Sequence, residues 1–523
     1  MRLPDYLEYY ARVMPDRLFA ECHLPEGKTS ISYGEANARA NRMARAMLAT
    51  GLEHGDRLAY LSRNSTDMLL MYFAAAKAGV VPVPLNYRFI PREWLFIIND
   101  AEAKLLIAEA EYVSGVQTIR NMLTHVESFV SINGQSDDWL EHESWLAEHE
   151  DHNLNLSISE TDHLYQMYTS GTTGQPKGAI LSHRAIDSNI AILIRGMDLV
   201  QAKERVLIVV PLYHASGSVI SFACIAVGST LVIHKDFDPV TTLNSISEEG
   251  ITVCGLIPAM VQACLVSVAD IGNRKFPTLR RIIYGASPIA EETLRAAMRV
   301  FECEFVQGYG ATETTATASC LLPEDHRRAL DGEPHLLLSA GRGALGTEIR
   351  IVDENGNEVP QGTIGEVAVK GSQLMTGYWH HEEATAKTLK DGWIYTGDAA
   401  MMDEEGFIYI QDRIKDMIVS GGENVYPREI ENALFEHPDI ADAAVIGVPS
   451  VKWGETILGF VVPREGKAIA VDDLIEFCRD RLAGYKVPRL FEFVDQLPRN
   501  ASGKVLKKDL RAPYWDEAER GIS

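Results

Sequence analysis

The stretch Tyr168-Thr169-Ser170-Gly171-Thr172-Thr173-Gly174-Gln175-Pro176-Lys177-Gly178 packs hydroxyls, glycines and one lysine into consecutive positions. Glycine permits tight turns in which successive backbone N–H groups point into one concavity. Thr169, Ser170, Thr172 and Thr173 add hydroxyl donors, and Lys177 adds a mobile positive charge. Such a loop suits a polyphosphate. It is not a Walker A loop, which would need glycine in place of Pro176 and serine or threonine in place of Gly178.

A second constellation, Gln307-Gly308-Tyr309-Gly310-Ala311-Thr312-Glu313, carries related chemistry. Gly308 and Gly310 let a planar base approach closely, and Tyr309 can stack on it. Thr312 can reach a phosphate oxygen. Glu313 can hold Mg2+, directly or through water, because that ion takes few carboxylates together with phosphate. Three shorter stretches follow: Tyr395-Thr396-Gly397-Asp398, Asp412-Arg413-Ile414-Lys415 and Pro498-Arg499-Asn500-Ala501-Ser502-Gly503-Lys504-Val505. Taken singly they read as a turn aspartate, a surface ion pair and an exposed lysine.

Together and in this order, the five stretches resemble the signature motifs of the acyl-adenylate-forming superfamily: acyl-CoA ligases, adenylation domains and firefly luciferase. The resemblance covers nearly the whole chain and falls in the acyl-CoA synthetase branch of fatty-acid and 4-coumarate ligases. It implies ATP-dependent activation of a carboxylic acid as acyl-AMP, then transfer of the acyl group to CoA. The first loop would bind phosphates; Asp398 would accept from both ribose hydroxyls, with Arg413 beside it. Lys504 would reach the α-phosphate and the carboxylate in the first half-reaction. A cation suits that place, because two anions repel and a positive charge between them stabilises the pentacoordinate phosphorus as it forms. Lys415 would be the pivot of a mobile domain. Rotation there would withdraw Lys504 and bring Gly421-Gly422-Glu423-Asn424 to line a pantetheine tunnel, so that one site serves two reactions.

The acyl side is read from Tyr213-His214-Ala215-Ser216-Gly217. His214 resembles the aromatic-or-histidine gate of acyl-CoA ligases, although a histidine can also simply cap a strand end. Adenylation domains for α-amino acids place a carboxylate near here to hold the ammonium group. Between Pro211 and Val219 there is no Asp or Glu, which argues for a plain carboxylic acid. Gly285, Ala286, Ala311 and Ala316 are small enough to leave room for an extended or aromatic group. Lys504, Glu313, Thr169 and His214 are therefore the catalytic candidates, and Ser287 joins the nucleotide-binding set with Gly285 and Ala286. A stand-alone adenylating enzyme that loads a carrier protein stays open as the alternative. A non-catalytic nucleotide-binding protein would be expected to have lost ligands, yet Lys177, Glu313, Asp398, Arg413 and Lys504 are all present, and nothing points to the luciferin of a luciferase-like oxidase.

The elements that must position these residues follow a β-α-β rhythm, which predicts a mostly parallel sheet covered by helices. Strands are expected at Arg57–Ser62, Val80–Leu85, Leu105–Ala108, Arg205–Val210, Ile251–Leu256, Arg281–Tyr284 and Glu304–Gln307, with helices at Asp67–Gly79 and Ile289–Phe301. Ligands of open α/β sheets lie beyond the carboxyl ends of the strands. That rule singles out Pro211–Gly217, Gly285–Pro288 and Gly308–Glu313 as loops converging on one crevice. Ser136–Asp162, acidic and poor in apolar residues, reads as a surface connection. From Thr347 the pattern alternates like a β-meander, through Gly365–Lys370 to Phe407–Gln411, and gives a small barrel-like subdomain. A new α+β pattern follows: helix Pro427–Glu436, strands Ala441–Val448 and Leu458–Val462, helix Val471–Ala483 and strand Leu490–Val494. The expected fold is thus α/β, with a large N-terminal domain (1–414) and a smaller α+β domain (415–523) joined by a hinge.

Composition narrows the setting. A chain of 523 residues should hold at least two domains. Its net charge of −24 disfavours nucleic acid or an anionic membrane as partner. Residues 481–511 run the other way, with an excess of lysine and arginine that suits either an anionic ligand or a solvated helix face. The seven cysteines lack any Cys-x-x-Cys pair and read as reduced core residues of a cytoplasmic protein. Ala215–Ile233 is uncharged, but its serines and glycines favour a buried helix, a Gly228-Ser229 turn and a strand at Thr230–His234 over a membrane span. The expected partners are a small-molecule acid, ATP and CoA; a homo-oligomer stays open.

Overall fold

The computed structural model describes residues 1–24, 27–134, 136, 138–169, 176–268, 270–287, 289–420, 423–450, 452–499 and 504–515. A nine-stranded sheet forms the centre of the large domain. Its parallel core runs Glu304–Tyr309, Arg281–Gly285, Val253–Gly255, Arg205–Ile208, Thr230–His234 and Leu18–Leu24. Neighbouring strands therefore end on the same side, which is what brings the loops after Ile208, Gly285 and Tyr309 into one crevice. A five-stranded parallel sheet (Val81–Pro84, Arg57–Leu61, Ala103–Glu109, Ser128–Ile132, Leu140–Glu141) stands beside it.

Ala215–Ala226 is a buried helix and Thr230–His234 a strand of the central sheet, so the longest uncharged run belongs to the core. No helix among the described residues is long and apolar enough to cross a membrane. A small antiparallel sheet joins His163–Thr169, Lys177–Ser182 and Gly377–Tyr378. A half-barrel follows, in which Glu348–Val352, Gly365–Lys370, Trp393–Met402 and Ile408–Arg413 pair antiparallel. The smaller C-terminal domain has its own sheet around Ile440–Ser450 and Gly454–Pro463, with apolar cores on both faces.

One expectation needed correction, and one stretch had gone unread. Ser136–Asp162 is not merely a surface connection: it contains strand Leu140–Glu141 and helix His142–Ala147, and Trp139, Trp145 and Leu146 are buried. Three large apolar side chains anchor a segment that is otherwise mostly polar, and His142 is buried beside them. In that helix Glu143, together with Asp67, is bridged by the Arg39 guanidinium, so these carboxylates already have their cation. Residues 1–56 carry no sequence-derived element, yet Leu18–Leu24 pairs in parallel with Thr230–His234 inside the central sheet.

Burial also sets the acid response. His183, His214, His234 and His326 are each pushed down to about 4, in every case chiefly by desolvation. His326 is held between Tyr284 Oη at 2.9 Å and the Leu322 carbonyl at 2.8 Å, an environment for the neutral ring. Because the folded-state values lie below the ordinary 6.5, the unfolded chain takes up protons first as pH falls. The stability from these rings is complete above about pH 6.5 and is lost toward pH 4, on the order of 3 kcal/mol for a fully buried ring. Thermal melts between pH 7 and 4 are expected to fall steeply, and His326→Gln should flatten that fall; an unchanged slope in the variant contradicts the assignment.

Candidate active site

The described part of the phosphate loop is a hairpin base. Thr169 and Lys177 are directly paired across the two strands. Ser170, Gly171, Thr172 and Thr173 lie outside the described residues. Thr169 Oγ1 comes within 3.5 Å of Glu313 Oε1, and the Tyr378 hydroxyl donates to the same oxygen at 2.7 Å. Lys177 Nζ stands 5.2 Å from the centre of the Tyr378 ring. Glu313 is held in the 3-10 turn Thr312–Thr314, and its carbonyl accepts the Met375 N–H. Tyr378 was absent from the sequence-derived set. The signal was Gly377-Tyr378-Trp379, whose strand pairs with Ala179–Ile180 far back in the chain.

Two of the glycines serve the protein itself. A Cβ on Gly285 would lie 2.2 Å from the Gly308 carbonyl oxygen, and one on Gly310 would lie 2.6 Å from the Ala316 carbonyl. The room expected at Gly285 is therefore taken by the neighbouring strand. Gly308 differs: a Cβ there would meet only Met197 Cε at 3.9 Å, so its face opens on the cleft. Ala286 holds a left-handed φ of 66°, strain of the kind that persists where surrounding structure imposes it. Ser287 and Thr312 line the same cleft.

On the half-barrel, Asp398 and Arg413 are register partners. Arg413 Nε lies 2.7 Å from Asp398 Oδ1, and the Tyr309 hydroxyl donates to Asp398 Oδ2 at 2.7 Å. Desolvation, then the Asp398 charge, pushes the Tyr309 phenol well up, so it stays a donor. Gly397, at φ 74°, turns its N–H to Glu366 at 2.8 Å. Glu366 is a second residue that the sequence motifs did not single out.

His214 holds the N-cap position of helix Ala215–Ala226, and its ring lies tilted with its centre 4.5 Å from that of Tyr213. Burial, with Arg88 nearby, keeps it neutral. It cannot act as a fixed cation at neutral pH, which suits a wall or gate. A Cβ on Gly217 would lie 2.3 Å from the Pro211 carbonyl oxygen, so this helix starts hard against the strand end. Behind it Val210, Ile220 and Gly255 give the cleft an apolar floor.

Lys504 projects into the cleft from the smaller domain, just before the bridge between Arg499 and Val505. It keeps contact with solvent. Crowding by surrounding protein and the Arg413 charge hold its ammonium below the usual lysine value, against the pull of Asp398, Asp412 and Asp416. Lys415 has its backbone in the 3-10 turn Ile414–Asp416, and its side chain is outside the described set. Gly421 and Gly422 are also outside it.

A cleft thus gathers a phosphate hairpin, an acid, a paired Asp/Arg and a lysine from a second domain. Residues 7–379 match the family model for AMP-binding enzymes, and residues 429–504 match that for the AMP-binding enzyme C-terminal domain. The chain belongs to the AMP-binding enzyme family. It is 38% identical over 504 residues to the fatty acid–[acyl-carrier-protein] ligase ScoC of Streptomyces coeruleorubidus, covering 96% of this chain and 94% of that protein. It is 35% identical to an indoleacetate–CoA ligase of Aromatoleum aromaticum, covering 98% of each. Among solved structures it superposes on a Mycobacterium tuberculosis fatty acyl CoA synthetase with TM-score 0.78 and 32% identity, over 99% of both chains.

Proposed function

We propose that this family member is an acid–thiol ligase that converts a fatty or aryl carboxylic acid to its acyl-adenylate with ATP and then to its CoA thioester. The observation that carries this reading is the position of Lys504: it enters, from the smaller domain, the cleft whose other walls hold Thr169, Lys177 and Glu313 on one side and Asp398 with Arg413 on another. In the first step a carboxylate oxygen bonds to the α-phosphorus and the bond to pyrophosphate breaks. Lys177 and the hairpin amides hold the departing phosphates, Asp398 and Arg413 hold the ribose, and Lys504 bridges carboxylate and α-phosphate. Thr169 and Glu313 offer oxygen donors of the type that Mg2+ takes, and the ion when bound neutralises phosphate charge. In the second step the CoA sulfur bonds to the acyl carbon and AMP leaves.

The two domains meet at Lys415, with 1–414 before it and 415–523 after it, and rotation there exchanges Lys504 for the loop that carries Gly421 and Gly422. The apolar floor beside His214, which has no carboxylate, supports an uncharged acyl group. The seven free cysteines, six of them buried, support a cytoplasmic setting. Loading of a carrier protein is the second reading, favoured by the similarity to ScoC. A panel of straight-chain and aryl acids, scored by AMP release without acceptor, with CoA and with a phosphopantetheinyl carrier, tests both. CoA-stimulated AMP release is expected. Stimulation by the carrier alone selects the second reading, and no acid-dependent AMP release rejects both.

A further inference from the structure

The basic stretch 481–511 finds its anions within the protein. Arg481 pairs with Glu436 at 2.9 Å, Lys486 with Glu429 at 2.7 Å and Arg499 with Asp442 at 2.6 Å, all inside the smaller domain. Two further cations on helix Lys507–Trp515 reach the connecting segment instead. Arg511 Nη1 donates to Asp416 Oδ1 and Nη2 to the Asp416 carbonyl, both at 3.0 Å. Lys507 Nζ donates to Asp412 Oδ2 at 2.8 Å and lies 2.9 Å from Glu431 Oε1. Residues 507 and 511 lie one helical turn apart, and so face the two ends of the short turn Ile414–Asp416 together.

The Lys507 group is built, not incidental. Side-chain exposure is 13% for Lys507, 10% for Asp412 and 9% for Glu431. Asp412 Oδ1 accepts the Arg413 N–H at 2.7 Å, and Glu431 Oε1 accepts the Val445 N–H at 3.0 Å. Arg428 Nη1 stands 3.8 Å from Glu431 Oε2. Desolvation works against the Lys507 charge, but Asp412 and Glu431 outweigh it and hold its ammonium above the usual lysine value.

We propose that Lys507 is a positioning residue, a latch between the domains that holds the arrangement in which Lys504 enters the cleft. This rests on the two-step reading above. Asp412 is the last residue but one of strand Ile408–Arg413 in the large domain, whereas Glu431 and Lys507 belong to the smaller one. Rotation about Lys415 breaks the Lys507–Asp412 contact and leaves Lys507 with Glu431. The ammonium is never stranded without a counter-charge, so the latch can open without the full penalty of an unpaired buried ion. Asp412 is also the residue before Arg413, so the latch and the ribose site share one strand end. The Arg511–Asp416 pair lies wholly after the pivot and travels with the smaller domain.

The test compares Lys507→Met, Lys507→Arg and Asp412→Asn with the unaltered protein in two assays: acid-dependent exchange between pyrophosphate and ATP, and CoA thioester formation from supplied acyl-AMP. Lys507→Met and Asp412→Asn are expected to slow exchange roughly 5- to 100-fold, the range of a coupling between sites, while thioester formation from acyl-AMP holds or rises. Lys507→Arg should restore exchange. Equal loss of both activities in the Lys507→Met and Asp412→Asn variants, or exchange unaffected in both, overturns the latch. Failure of the unaltered protein to show acid-dependent exchange overturns the ligase reading, and the latch with it.

Discussion

Replacing Lys504 with alanine is expected to cut acid-dependent pyrophosphate release by about 100- to 1000-fold, the loss typical when a preorganised charge or donor is removed from a developing anion. Thioester formation from supplied acyl-AMP should survive within a few-fold. The asymmetry follows from where the charge is needed. During adenylation the incoming carboxylate and the α-phosphate repel, and negative charge builds on the phosphorus oxygens between them. Lys504 enters the cleft beside Arg413 and Asp398, and both the crowding and Arg413 disfavour its charge. An anion entering the cleft adds its pull to those of Asp398, Asp412 and Asp416 and offsets the Arg413 charge, so carboxylate and phosphate favour the ammonium form of Lys504. Thioester formation has no such anion pair, because the acyl-adenylate carries its phosphate as a leaving group, and the proposed rotation withdraws Lys504. Measuring both half-reactions on one preparation separates this role from simple loss of structure. Equal loss in both would show that Lys504 supports the fold of the cleft and does not act on phosphorus.

The motifs were legible because each depends on residue types with few substitutes. The hairpin motif is rich in glycine and hydroxyls, Lys177 sits at its base and Glu313 lies across from Thr169. What the chain could not show was who pairs with whom. Asp398 and Arg413 were both visible, but only the strand register sets them opposite one another. Tyr378, which holds Glu313, is placed by a strand pairing nearly the length of a domain away. The same holds for charge. Residues 481–511 look like a basic surface because their acids, at 412, 416, 429, 431, 436 and 442, lie earlier in the chain. Periodicity found the parallel strands and the buried helix Ala215–Ala226 where apolar runs are long, but not the parallel strands Leu18–Leu24 and Ser128–Ile132. It missed helix His142–Ala147, where a few large side chains anchor an otherwise acidic segment. Glycine reading could not see the neighbours: a Cβ on Gly285 or Gly310 would meet adjacent backbone, whereas one on Gly308 would meet only Met197 Cε.

Lys415→Pro should give the opposite pattern to Lys504→Ala. Residue 415 sits in the first turn of the 3-10 segment Ile414–Asp416, where proline is tolerated because the lost N–H is among those a helix start leaves unpaired. The ring fixes φ near −65°, within the range of a 3-10 turn. The substitution therefore keeps the arrangement seen here, with Lys504 in the cleft and Lys507 on Asp412, and forbids the φ change that a pivot needs. Acid-dependent pyrophosphate exchange is expected to stay within about 3-fold of the unaltered protein, while CoA thioester formation falls about 100-fold, as for hinge residues that gate a catalytic step. Thermal stability should hold or rise slightly, since a compatible proline stabilises by restricting the unfolded chain. A destabilised variant that loses both reactions would mean that the ring does not fit the turn, whereas normal thioester synthesis in a stable variant would place the pivot elsewhere. With the latch variants, the comparison becomes directional: proline should freeze the adenylating arrangement and loss of Lys507 should release it, so combining the two should restore exchange to the level of proline alone. That recovery has no explanation in local packing, because residues 415 and 507 then act on one equilibrium between two domain positions.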